Sequence, residues 1–253
     1  MRAALVVFLL SAGCAPSLGG DFTPGDFISD NRFTELVLEI DAVRGRNADD
    51  DVYARLRGGL DRLADEDALH KPEGVTFAFD DDDEDPIGDA DTVHTIEELN
   101  AFHDEVIDLD VDDDDAVMHV FWVDGRYEGD DGDSLVLGFS YRGDRILMLS
   151  DNIRRACDGG VFTPIERQLC ERTTSTVLLH EMGHLFGLVN NGAPMQVDHQ
   201  DEDNGAHDDN PDCLMFFGVE TSALSNLIAD RLARSDEDIF FDENCLDDLR
   251  ALD

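Results

Sequence analysis

The sequence is poor in positive charge. Its 253 residues include 18 basic and 60 acidic side chains, which gives a formal net charge of −42 at pH 7. Lys71 is the only lysine, and the other basic residues are arginines. A surface of this sign repels phosphate backbones, so we expect no nucleic-acid partner. The composition favours a halophilic protein, because salt screens the repulsion between carboxylates. A surface that attracts calcium is the alternative, and composition does not separate the two.

The sequence also lacks an apolar run long enough to span a bilayer. The short run at 3–10 follows an arginine and precedes small residues and Cys14, which is the order of a secretory signal. The stretch LLSAGC resembles a bacterial lipobox, in which the cysteine is acylated. A cleaved signal with an incidental cysteine is the alternative. We expect a signal peptide at 1–13, a lipidated tether at 14–33, and a cell-envelope or extracellular protein that contacts membrane only through its lipid.

Four further cysteines remain after Cys14. An even number in an exported protein favours two disulfides, for which three pairings exist. We favour a bond between Cys157 and Cys170, which closes a short loop, and one between Cys213 and Cys245, which fixes the C-terminal tail. The spacing does not resemble a CxxC zinc site, so a metal bound by cysteines is the weaker alternative.

Hydrophobic periodicity predicts alternating strands and helices followed by an irregular region. Strands are expected at 34–43, 74–79 and 116–123 and in a hairpin formed by 134–141 and 145–150. Helices are expected at 49–66, where a glycine pair weakens the apolar stripe, and at 95–109, 221–232 and 243–252. Another helix is expected to follow the loop between Cys157 and Cys170 and to end at about residue 188. The domain would span 34–253, with an upper lobe at 34–188 and a lower lobe at 189–253.

The acidic stretch DDDDEDPIGDAD, residues 80–91, superficially suggests a calcium loop. The glycine and the terminal glutamate that such a loop requires do not fall in register. We therefore predict solvated surface here, and a Ca²⁺ cofactor has no support from the sequence.

The most informative stretch is TVLLHEMGHLFGLVNNGAPM, residues 176–195. His180 and His184 are four residues apart on a predicted helix, so both imidazoles project from one face and can share a metal ion. Glu181 lies beside the first histidine, where it can take a proton from a metal-bound water. Apolar residues flank the motif and would hold the helix in a core. The pattern predicts a Zn²⁺ site.

The segment HEMGHLFGLVN resembles the metzincin consensus HExxHxxGxxH, with Gly187 at the consensus glycine. In metzincins this glycine ends the helix in a left-handed turn, and a methionine turn lies beneath the metal. The segment DCLM, which ends at Met215, is similar to that turn. The resemblance covers about 34–253, with motif-level detail at 180–190 and 213–215. It implies an α+β zincin fold: a twisted, mixed five-stranded sheet with packing helices, an active-site helix and a small irregular or helical C-terminal lobe.

Two positions depart from the metzincin pattern. Asn190 stands where the third histidine is expected, and an amide oxygen is a poor zinc ligand beside an imidazole. Phe217 stands where several metzincins have a tyrosine that assists at the metal. We predict His199 as the third ligand, because the NNG turn can bring it back and aspartates flank it. His207 and Asn190 are the alternatives.

The sequence thus favours an exported, lipid-anchored zinc endopeptidase. Glu181 would act as the general base, and the substrate would be a peptide or protein. We expect a monomer. The alternative is a surface lipoprotein that binds a partner on a degenerate zincin fold, which the residues at 190 and 217 motivate and the retained glutamate argues against.

Overall fold

The computed structural model describes residues 22–79, 85–109, 112, 114–130, 135–157, 164–220, 228 and 237–252. The helices are α1 (Pro24–Ile28), α2 (Asp50–Asp65), α3 (Ile96–Val106), α4 (Ser150–Cys157), α5 (Pro164–Leu185) and α6 (Glu243–Arg250). The strands are β1 (Glu35–Ala42), β2 (Gly74–Phe79), β3 (Val93–His94), β4 (Asp115–Val123), β5 (Arg126–Tyr127), β6 (Gly138–Tyr141) and β7 (Arg145–Leu149). Cys14 and almost all of the helix expected at 221–232 lie outside these ranges. No helix in them combines the length and the apolar character needed to cross a bilayer.

A mixed five-stranded sheet forms the centre of the molecule, which confirms the predicted α+β class. Its strand order is β2-β1-β4-β7-β6. Strands β2, β1, β4 and β7 are parallel to one another, and β6 runs antiparallel to β7, as the predicted hairpin requires. The short strands β3 and β5 form a separate parallel pair.

Both faces of the sheet are covered, so nearly all side chains of its central strands β1 and β4 are buried. Alternate residues of β4 enter two different cores. Met118, Val120 and Trp122 join the large core that also contains α2 and α5, whereas Phe121 and Val123 join a smaller core under α3. The sheet is therefore a rigid middle layer, and α5 lies against one of its faces.

The packing of α2 against α5 depends on Gly59, the second glycine of the pair that weakened the predicted helix. A Cβ atom on Gly59 would come within 2.7 Å of a methyl carbon of Leu179 on α5. The missing side chain thus lets the two helices approach closely. The local cost of a glycine within a helix is offset by burial of the α5 side chains against the core.

The folded domain begins earlier than the sequence predicted, so the expected tether at 14–33 is wrong for its second half. Phe27, Ile28 and Phe33 are buried in the main core. The ammonium group of Lys71 donates hydrogen bonds to the carbonyl oxygens of Asp26, Ser29 and Phe33 at 2.7, 2.6 and 2.8 Å. The single lysine thus fixes this N-terminal segment to the domain. The proline, glycine and aspartate residues of this segment had suggested a linker, but the apolar residues between them pack into the core.

We predict that Lys71→Met will destabilise the domain. Burial lowers the pKa of Lys71 to about 8, so the ammonium is present at neutral pH. Methionine fills a similar volume but leaves three buried carbonyls without their donor, which should cost roughly 3 kcal/mol. Denaturant unfolding measures this cost. Arg44→Met, at an exposed position, is the control, and a loss for Lys71→Met no larger than that of the control would contradict the role.

Candidate metal centre

Helix α5 places three polar side chains in the core near its C-terminal end. His180 and Glu181 are fully buried, and His184 is 9% exposed. Val177, Leu178 and Met182 are buried around them and hold the helix against the core. The two imidazole centroids lie 4.7 Å apart with their planes at 90°. The helix thus presents two histidines to the same point, as their spacing predicted.

Beyond Leu185 the chain reverses through Gly187, which has a φ of 80°. The left-handed turn matches the one that the metzincin resemblance implies. A Cβ atom on Gly187 would also come within 2.6 Å of the backbone nitrogen of Ala193. The side-chain amide of Asn191 donates to the carbonyl oxygen of His184 at 2.9 Å and thereby fixes the turn to the end of the helix.

Asn190 belongs to this turn and does not face the histidine pair. Its φ is 61°, a left-handed conformation that asparagine tolerates better than most residues. Its side chain is exposed, and its amide donates to the side-chain oxygen of Gln200 at 3.2 Å. The consensus position is thus used for the turn.

The structure does not bring His199 to the histidine pair, and the prediction of His199 as third ligand has to be corrected. Both ring nitrogens of His199 bond to buried carboxylates: Nδ1 to Asp208 at 2.6 Å and Nε2 to Asp248 at 2.9 Å. Neither nitrogen then offers a lone pair to a metal. The aspartates that engage His199 lie farther along the chain than the two flanking ones on which the prediction depended.

His207 occupies the place expected of the third ligand. Ligand nitrogens of His180, His184 and His207 all lie within 4.8 Å of one another. The His207 ring lies 5.3 Å from that of His180, nearly parallel to it, and 5.0 Å from that of His184, perpendicular to it. Three imidazoles, two from one helix and one from the following loop, therefore surround a common point.

Backbone carbonyls orient two of these imidazoles. Nδ1 of His180 lies 2.7 Å from the carbonyl oxygen of Leu214, and Nδ1 of His207 lies 2.7 Å from that of Asn204. A carbonyl oxygen only accepts, so each Nδ1 must carry a proton, and in the neutral imidazole Nε2 then has the lone pair. This is the tautomer that binds a metal through Nε2, and such hydrogen bonds commonly orient metal-binding histidines. The donor set therefore fits Zn²⁺.

The segment that ends at Met215 packs against α5. Met215 is fully buried, and a Cβ atom on Gly183 would come within 2.4 Å of its sulfur. The glycine between the two helix histidines thus admits Met215 to the helix surface. The segment also positions His207, because the N–H of the next residue, Asp208, donates to the Met215 carbonyl oxygen at 2.8 Å.

Phe217 lies at the edge of the three imidazoles. Its ring centroid is 5.5 Å from that of His207, in an edge-to-face arrangement. The side chain supports the histidine through packing. It has no hydroxyl that could donate to a developing oxyanion, so that assistance is not available from position 217.

The cysteines have two different outcomes. Cys157 and Cys170 form a disulfide, as predicted. Cys213 and Cys245 are free, with their sulfurs 3.6 Å apart, so the second predicted disulfide is not formed. The Cys245 thiol instead lies 3.5 Å from a carboxylate oxygen of Asp208, to which it donates. The contact with Cys213 and burial raise the pKa of Cys245, which keeps the thiol protonated.

The Cys245 thiol belongs to a second group of potential metal ligands beside the three histidines. The side chains of His199, Asp208, Asp242 and Cys245 offer atoms within 4.8 Å of one another. In this structure the His199 ring already satisfies the carboxylates of Asp208 and Asp248. We therefore interpret His199, Asp208 and Asp248 as a buried ion cluster that connects the loop after α5 to α6.

The pH dependence of stability tests the cluster. Burial acts to lower the pKa of His199, but the hydrogen bonds and charges of Asp248 and Asp208 outweigh it, and the pKa is raised. A raised pKa means that the stabilisation is complete below the unfolded pKa of about 6.5 and is lost as pH rises through the folded value. Unfolding free energies of wild type and His199→Gln, measured from about pH 5 to 9, should therefore converge at high pH. A constant difference would contradict a charged His199.

No protein-family model and no curated protein matches the sequence. Among solved structures, the chain is similar to a zinc-dependent peptidase from Methanocorpusculum labreanum (strain Z), with 16% identity and a TM-score of 0.46. The match covers 85% of this chain and 99% of that chain. At this level of similarity, no residue role is transferred from that protein.

Proposed function

We propose that this protein is a zinc-dependent peptidase whose metal is held by His180, His184 and His207. The convergence of these three imidazoles supports the proposal most strongly. In His180 and His207, Nδ1 donates to a backbone carbonyl oxygen, so Nε2 is the nitrogen available to a metal. Three protein ligands leave a fourth tetrahedral position, which is typical of catalytic rather than structural zinc sites.

The chain's own residues would act on the reaction as follows. When bound, zinc would supply Lewis acidity, which polarises a carbonyl group and lowers the pKa of a coordinated water. Glu181 follows the first ligand on α5 and is buried. It would accept the proton of the attacking water and later deliver it to the leaving amine. The carbonyls of Leu214 and Asn204 would keep the imidazoles of His180 and His207 oriented throughout.

Export and lipid attachment at Cys14 form a further part of the proposal. The signal-like sequence supports it. The disulfide between Cys157 and Cys170 is consistent with an oxidising compartment. The substrate would then be a peptide or protein outside the cytoplasm. The alternative, a binding lipoprotein on a degenerate zincin fold, was motivated in part by the missing histidine at position 190. His207 offers a third imidazole in its place, which argues against that alternative.

Zinc content tests the ligand set. His207→Ala should weaken zinc binding by more than about 100-fold, because two imidazoles from one helix do not complete a tetrahedral site. Asn190→Ala should retain one zinc per chain, since its side chain belongs to the turn and contributes no ligand. Metal analysis after dialysis against a graded chelator measures these differences. Zinc retained in His207→Ala, or lost in Asn190→Ala, would be incompatible with the assignment.

Hydrolysis tests the role of Glu181. Glu181→Gln should keep zinc and the fold while casein hydrolysis falls by about 10²–10⁴-fold, the usual contribution of a general base. Glu105→Gln, at an exposed position of α3, removes the same charge without approaching the site and should leave turnover unchanged. Turnover of the Glu181 variant within about tenfold of wild type would exclude this role.

A further inference from the structure

A cavity of about 530 Å³ lies on another part of the domain, at the carboxyl ends of β1, β4 and β7. In open sheets of parallel strands this edge is where ligands usually bind. The first turns of α2 and α4 and the N-terminal half of α5 complete its wall. Its α5 residues precede His180, and none of the three histidines lines it. The cavity is therefore separate from the candidate metal centre.

One side of the cavity is positively charged, which is unusual for a chain of this composition. Arg46 and Arg154 both contact the same oxygen of Asp151, at 3.3 and 3.2 Å. The other oxygen of Asp151 accepts the N–H of Gly125 at 2.8 Å. Two guanidinium groups thus share one carboxylate, and Arg167 adds a third from α5. This excess of positive charge and N–H donors suits a carboxylate ligand.

The cavity is also lined by two acidic side chains, Asp49 and Glu171. Burial raises the pKa of Glu171, and the nearby charges of Asp51 and Asp49 act in the same direction. The charges of Arg55 and Arg167 oppose them. Asp49 precedes α2 as its N-cap residue but makes no side-chain capping hydrogen bond. Its carboxylate therefore remains available to a ligand. An ammonium group placed here would relieve the repulsion between these carboxylates.

Apolar side chains provide the rest of the lining. Val52, Trp122 and Ile153 contribute to the wall, and all three are largely buried in the domain. The volume falls within the range of small-molecule sites, which typically combine apolar walls with a few charged groups. A ligand that uses the whole lining has a carboxylate, an ammonium and an apolar body.

We propose that this cavity binds a zwitterion with apolar side chains, either an amino acid or a dipeptide. Its carboxylate contacts Arg46 and Arg154, and its ammonium group contacts Asp49 or Glu171. A simple anion would use the arginines alone and would leave the acidic residues repelling it. The proposal does not depend on the activity of the metal centre.

Fluorescence offers a direct test, because Trp122 is the only tryptophan of the chain. We expect L-leucine or L-leucyl-L-leucine to change its emission saturably, with calorimetry run in parallel to detect binding that leaves emission unchanged. N-acetyl-leucine lacks the ammonium group and leucinamide lacks the carboxylate, so each should bind at least about tenfold more weakly than leucine.

Variants separate this cavity from other binding sites. Arg154→Gln and Glu171→Gln should each raise the dissociation constant about tenfold or more, because each removes one charged partner of the ligand. Arg44→Gln removes the same charge from the loop after β1 but lies outside the lining, and should bind as wild type does. The proposal is overturned if neither compound binds, if the blocked compounds bind equally well, or if both cavity variants behave as the Arg44 control.

Discussion

Two buried aspartates hold the loop that the metal centre depends on. Asp208 and Asp248 engage the two nitrogens of His199, and Asp248 also accepts the N–H of Gln196 at 2.6 Å. Asp208 directly follows His207 in the chain. The cluster thus connects the loop that carries the third imidazole to α6. A metal site needs such support, because ligand geometry depends on the groups behind the ligands.

Much of the fold could be predicted from the sequence, because its signals are local. Strand and helix periodicity located the five-stranded sheet, and the histidine spacing located α5. The third ligand depends on contacts that are distant in sequence, such as the hydrogen bond between His199 and Asp248. One signal in the sequence did favour His207 over His199. His207 is closer in sequence to Met215, which packs against α5 between the two helix histidines.

Two residues show why composition alone was misleading. Lys71 counted only as evidence of lysine scarcity, yet its three carbonyl contacts incorporate residues 26–33 into the domain. Gly59 counted against a helix, yet its missing side chain sets the approach of α2 to α5. In both cases a tertiary contact decides the role. The acidic composition still favours a protein adapted to salt, and that interpretation remains a proposal.

The most direct measurement of the central claim is X-ray absorption spectroscopy of the zinc-loaded protein. Zinc held by His180, His184 and His207 should show only nitrogen and oxygen neighbours, at about 2.0–2.1 Å, with the multiple scattering of imidazole rings. The second group of potential ligands, which includes the thiol of Cys245, would instead give a sulfur neighbour at about 2.3 Å. A sulfur shell in protein that holds one zinc per chain would contradict the account.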